Sequence, residues 1–107
     1  MHCSVIHIRD ARNTASEIYI GRESKTRKRS EWANPFFIGK DGTREEVLEK
    51  YEAYAWEMLE SGHWEEEDLL NLIGYTLVCY CAPERCHGNV LDSMITKILA
   101  RREEQGY

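Results

Sequence analysis

Tyr75–Leu99, "YTLVCYCAPERCHGNVLDSMITKIL", is the stretch that decides the fold. Its first seven residues, Tyr75–Cys81, are apolar on both faces, as a central strand covered on both sides should be. Val90, Leu91, Met94, Ile95, Ile98 and Leu99 then recur at helical spacing. The stretch Cys79–Asn89, from the strand's end through an irregular turn, holds three of the four cysteines and one of the four histidines. Strand, turn and helix in this order form the repeating unit of an α/β sheet. Open sheets of that class bind ligands outside the carboxyl ends of their strands. The cysteine-rich turn falls at that edge.

Working upstream, "CSVIHIRD" (Cys3–Asp10) is β-branched and short, which reads as a strand. "EIYIG" (Glu17–Gly21) reads as a second, closed by glycine. From Gly21 to Asp41 no period holds, and a loop of that length in a compact domain is usually functional or disordered. Asp41-Gly42 is a turn signal, and Thr43 with Glu46 makes a capping box. Val47, Leu48, Tyr51, Tyr54, Ala55, Met58 and Leu59 give the following helix an apolar stripe, best read as core. "EEEDLLNLI" (Glu65–Ile73) predicts a shorter helix with its acids in the first turn, where the helix dipole favours them. The order predicts one α/β domain over residues 1–107: a small Rossmann-like sheet of about three strands, mainly parallel, flanked by helices.

Composition sets the broad class. With 42% hydrophobic and 31% charged residues, the chain is an ordinary globular protein with one modest core. It has no apolar run near the ~20 residues of a membrane helix. The N-terminus lacks a basic stretch followed by an apolar one, so the expected compartment is the reducing cytoplasm, with no membrane partner. The net charge of -5 is unevenly spread. Residues 1–44 carry nine Lys/Arg and five Asp/Glu, whereas residues 45–107 carry five and fourteen. "RESKTRKR" (Arg22–Arg29) supplies most of the positive excess and predicts a mobile basic loop over 22–31, either a solvated run or a phosphate-attracting flap. A general nucleic-acid binder is more usually basic overall, which makes nucleic acid the weaker partner. The Glu-rich face of residues 45–68 reads as solvated surface in preference to a docking face.

The cysteine-rich turn admits two chemistries. Three thiolates and an imidazole (Cys79, Cys81, Cys86 and His87) suit tetrahedral zinc. The spacing argues against it, because paired zinc cysteines are usually separated by two residues or more, and Cys86-His87 are adjacent. A thiol reading instead takes Cys86, at a helix start between Arg85 and His87, as a candidate with a lowered pKa. Cys79 and Arg85 also fit the C-x5-R spacing of cysteine phosphatases, but the loop lacks the glycines of a phosphate cradle, and Pro83 removes an N–H. "HWE" (His63–Glu65) lacks the P-C-x-x-C partner of zinc deaminases. His2 and His7 carry no signal.

"YIGR", "NPF", "DGTREEVLEKY" and "CYCAPERCHGNVL", in that order, resemble the domain of unknown function 4326 found in phages and bacteria. The likeness runs from about the second strand to the last helix. It maps family positions onto Gly21, Arg22, Asn34, Pro35, Phe36, Cys79, Cys81, Cys86, His87, Gly88 and Asn89. Three positions depart from the pattern: Tyr80 stands for a Trp, Ala33 for a Gly, and Asn89 for an Asp. The resemblance supplies no activity. It implies that the motif residues act together, in a phage or bacterial accessory role.

The favoured expectation is a domain that binds, processes or sequesters a nucleotide or other phosphorylated small molecule at the strand–helix turns. Arg22 would meet phosphate, and Gly21, Gly88 and Asn89 would form the anion-binding turns. Asn34 would orient the base or sugar, Pro35 would belong to the same pocket wall, and Phe36 or Trp32 would stack on the base. If chemistry occurs, Cys86 and His87 are the catalytic candidates, and no cofactor is called for. The rival is a structural zinc module on Cys79, Cys81, Cys86 and His87 that contacts nucleic acid or a protein.

Overall fold

A computed structural model describes residues 2–81 and 84–106. Among the described residues three strands form one sheet: β1 (Ser4–His7), β2 (Glu17–Tyr19) and β3 (Thr76–Cys79). The spatial order is β1-β3-β2, and both pairings are parallel. β3 is the central strand because its sequence is apolar on both faces. Leu77, Val78 and Cys79 are buried in succession, so neither face of the sheet centre meets water.

Three α-helices accompany the sheet among the described residues: α1 (Arg44–Glu60), α2 (Glu66–Leu70) and α3 (His87–Glu104). α1 begins where the capping box requires. Thr43 Oγ1 accepts from the Glu46 N–H (3.3 Å), and Glu46 Oε1 accepts from the Thr43 N–H (3.0 Å). α3 lies against the sheet, and α1 and α2 pack on α3. Leu91, Met94, Ile95 and Ile98 of α3 and Tyr51 and Ala55 of α1 have essentially no exposed surface. Each fully buried large apolar side chain contributes roughly 1.5–3 kcal/mol. Ion pairs from Arg101 and Arg102 to Glu66 and Glu67 join α3 to α2, at exposed positions where each contributes little. Among the described residues, no helix is long and apolar enough to cross a membrane.

All three strands are shorter than their sequence predicts, β2 stopping at Tyr19. β1 ends at His7, whose Nδ1 accepts from the Arg9 N–H (3.0 Å) and turns Ile8–Asp10 into a single 3-10 turn. β3 ends at Cys79, so Cys81 stands beyond the strand and no longer shares a strand face with it. The basic segment is folded back on itself. Gly21 C=O accepts from the Ser30 N–H (3.0 Å), Arg27 C=O accepts from the Ser24 N–H (2.9 Å), and the Arg27 guanidinium donates to Asn13.

Candidate functional site

Because β2 and β3 run parallel, the chain leaves both at the same sheet edge. Gly21 and Arg22 follow β2, and Tyr80 and Cys81 follow β3. The irregular segment at 34–38 closes over them, and His87 at the start of α3 forms part of the wall. These parts enclose a cleft of about 570 Å³. Ligand sites are typically ~300–1,000 Å³, mostly apolar, with a few converging polar groups. This cleft has that character, with Phe36, Phe37, Ile38, Val47 and Tyr80 against Arg22, Asn34 and His87. A second cleft of about 590 Å³, beside Trp56, Trp64 and Glu66, contains none of the motif residues.

Arg22 organises the cleft. Its Nε donates to the Asn34 carbonyl (2.8 Å) and its Nη2 to the Phe36 carbonyl, tying the N-P-F segment to the end of β2. The guanidinium also stacks on the Phe37 ring, 3.9 Å from its centroid. Two of its five N–H donors are engaged in these bonds, leaving the others for a ligand. Asn34 is nine-tenths buried, and its Oδ1 accepts from the Phe36 N–H (2.9 Å), an Asx turn that shapes the segment. No described residue accepts from its Nδ2.

His87 is buried, and its Nε2 lies 2.7 Å from the Ile20 carbonyl. A carbonyl can only accept, so Nε2 carries the proton and Nδ1 keeps a lone pair. Burial, aided by the nearby Arg22 charge, moves the ring's pKa below its ordinary 6.5, against the opposing pull of the Ile20 bond. The native state therefore resists protonation of this ring more than the unfolded chain does. The stability it contributes is present above about pH 6.5 and is lost as the pH falls below that value. Urea titrations should show this loss setting in near pH 6.5, above the carboxylate range, and His87→Gln should remove it. An unchanged pH profile in that variant would mean that His87 is solvated.

Cys86 departs from expectation. Its thiol is buried, and its Sγ lies 3.3 Å from Cys79 Sγ. The hydrogen bond with Cys79, followed by burial and the repulsion a second thiolate would meet, holds its pKa well above the usual thiol range. The Gly88 N–H pulls the other way and does not overcome these effects. In place of the expected exposed, activated thiol stands a buried thiol packed against Cys79.

Three further expectations meet a different geometry. Trp32 is only 4% exposed and packs on Trp64, ring centroids 4.6 Å apart, while its carbonyl accepts from Tyr51 Oη (2.7 Å). It belongs to the core and does not line the cleft. The room left by Gly88 is filled by the sheet: a Cβ there would lie 3.0 Å from Ile20 Cδ1 and 3.2 Å from both Val5 methyls. Asn89 is spent on capping, its Oδ1 accepting from the Cys86 N–H (2.9 Å). Pro35 is half-buried within the Asx turn, and Pro83 lies outside the described residues. For zinc, the ring nitrogen of His87 that carries the proton faces Ile20. Among the described residues, no three His, Cys, Asp or Glu side chains are gathered to hold a metal.

Residues 4–97 match the profile of the domain of unknown function 4326. The chain belongs to this family. It is also 31% identical, over 68 residues, to an uncharacterized 12.4 kDa protein of the nrdA-td intergenic region of Enterobacteria phage T4. That alignment covers 63% of this chain and 61% of the phage protein's length. No solved structure matches the chain.

The family's motif positions have two physical roles in this fold. Gly21, Arg22, Asn34, Phe36, Cys79, Cys81 and His87 line the cleft, whereas Cys86, Gly88 and Asn89 seat α3 on the sheet and cap it. The sequence reading missed Phe37, Ile38 and Tyr80 as cleft residues. Their one signal is that each is a large apolar side chain in a turn-rich stretch or just past a strand, and 47%, 51% and 50% of their respective surfaces stay exposed.

Proposed function

We propose that this member of the domain of unknown function 4326 family binds a nucleotide or another phosphorylated small molecule in the cleft at the ends of β2 and β3. One observation carries the reading. Three motif segments far apart in sequence converge on one cavity that contains a guanidinium with donors to spare and the Asn34 side-chain amide, whose Nδ2 has no partner among the described residues. Arg22 meets the phosphate in charge-assisted bonds, and Asn34 Nδ2 orients a second acceptor. With the Cys86 thiol buried against Cys79 and away from the cleft, binding or sequestration is the reading the geometry favours over processing. The setting is the reducing cytoplasm of a bacterium or of a phage-infected host, consistent with a relative in phage T4.

A thermal-shift screen over nucleotides, sugar phosphates and metals tests this. At a hundredfold excess over Kd, a ligand that binds only the native state stabilises it by about 2.7 kcal/mol. Arg22→Ala should abolish the shift while Arg29→Ala, on the exposed basic segment, should retain it. Stoichiometric zinc released by a thiol-modifying reagent, with no shift from any phosphorylated compound, would sink the proposal.

A further inference from the structure

Resting on that reading, we infer that the ligand is a nucleoside monophosphate: one aromatic base and one phosphate, bound without a divalent cation. The charge lining the cleft is small, with Lys40 Nζ further out, 5.9 Å from the Phe37 ring. Arg22 is the one Lys or Arg among the described lining residues, and Glu23 the one Asp or Glu. Part of the Arg22 fork is already committed to the Asn34 and Phe36 carbonyls. A triphosphate brings several more negative charges, which proteins meet with further cations or with Mg²⁺ held on carboxylates. A single exposed Glu23 offers no such pair. One remaining N–H edge of a guanidinium suits one phosphate.

The aromatic rings argue for the base. Phe37 and Tyr80 are about half exposed at the cleft, although the interior has ample apolar contacts to offer. Both rings are held in place. Arg22 covers Phe37 at 3.9 Å, and Tyr80 meets His7 and Tyr19 in edge contacts at 6.0 and 6.3 Å. Rigid exposed rings beside a phosphate-binding cation are a stacking platform for a base, and a sugar phosphate alone would leave them in water. Asn34, a residue nine-tenths buried whose Nδ2 has no partner among the described residues, supplies a donor for the polar edge of the base or the sugar.

Calorimetry on the full chain decides this, using the four common nucleoside 5′-monophosphates, their triphosphates and ribose 5-phosphate, each with and without Mg²⁺. At least one monophosphate should bind at least tenfold more tightly than its triphosphate and than ribose 5-phosphate, with no effect of Mg²⁺. Tyr80→Ala, at a half-exposed position away from Arg22's stacking partner, should weaken monophosphate binding roughly tenfold and leave ribose 5-phosphate unchanged. A triphosphate that binds as tightly, or only with Mg²⁺, overturns the inference and leaves the phosphorylated-ligand reading standing. So does ribose 5-phosphate binding as tightly as the nucleotides. If none of these compounds binds, the broader reading fails with it.

Discussion

Replacing Tyr51 by alanine should cost about 3–5 kcal/mol of folding stability, a large share of the ~5–15 kcal/mol a domain possesses. Tyr51 has no exposed surface, and its ring is shared by three neighbours: Trp32 through the hydrogen bond, and Tyr54 and His87 through ring contacts at 6.0 and 5.1 Å. Deleting it opens a cavity where α1, α3 and the 30–37 segment meet. Tyr51→Phe isolates the polar part of the effect. It leaves the Trp32 carbonyl without its buried donor, at a cost of about 1–3 kcal/mol. Urea unfolding of both variants gives the two values. A Tyr51→Ala loss below about 1 kcal/mol would mean that this side chain is not packed as described.

Gly88→Val should be the next most damaging change, at about 1–3 kcal/mol or more, because overpacking displaces side chains or backbone. A Cβ at this position already presses Ile20 and Val5, and valine adds two methyls toward the same sheet. Gly88→Ala is a milder case, in which the crowding opposes a gain of about 1 kcal/mol in helix propensity. Since the position faces the sheet and not the cleft, Gly88→Ala should leave nucleotide affinity within twofold of the parent protein. A tenfold loss with unchanged stability would return Gly88 to the ligand site.

The fold was legible where local chemistry and pattern agree. Thr43 and Glu46 announce the start of α1, and the apolar positions of α3 announce its face. The unbroken apolar run around Leu77 and Val78 announces a central parallel strand. What stayed hidden depends on neighbours distant in sequence. In the 30–38 segment no periodicity says which ring turns inward, and Trp32 goes to the core because Trp64 and the Tyr51 hydroxyl meet it there. For Cys86, the adjacent Arg85, His87 and helix start all argue for a lowered pKa. The Cys79 thiol across the turn reverses that, and only the folded chain brings it to 3.3 Å. A glycine in the sequence declares that something comes close. At Gly88 the close neighbour was the protein itself.

The strand order has a consequence for how this chain is made. β3 pairs with both other strands, yet it is the last of the three in sequence: Ser4 and Glu17 both find their partner at Thr76. During synthesis, β1 and β2 leave the ribosome with no strand to pair with. They wait until most of the chain, including α1 and α2, has emerged. Closing such long loops is entropically slow, so the sheet should form late and all at once. A fragment cut before Thr76 holds two of the three strands and none of the sheet.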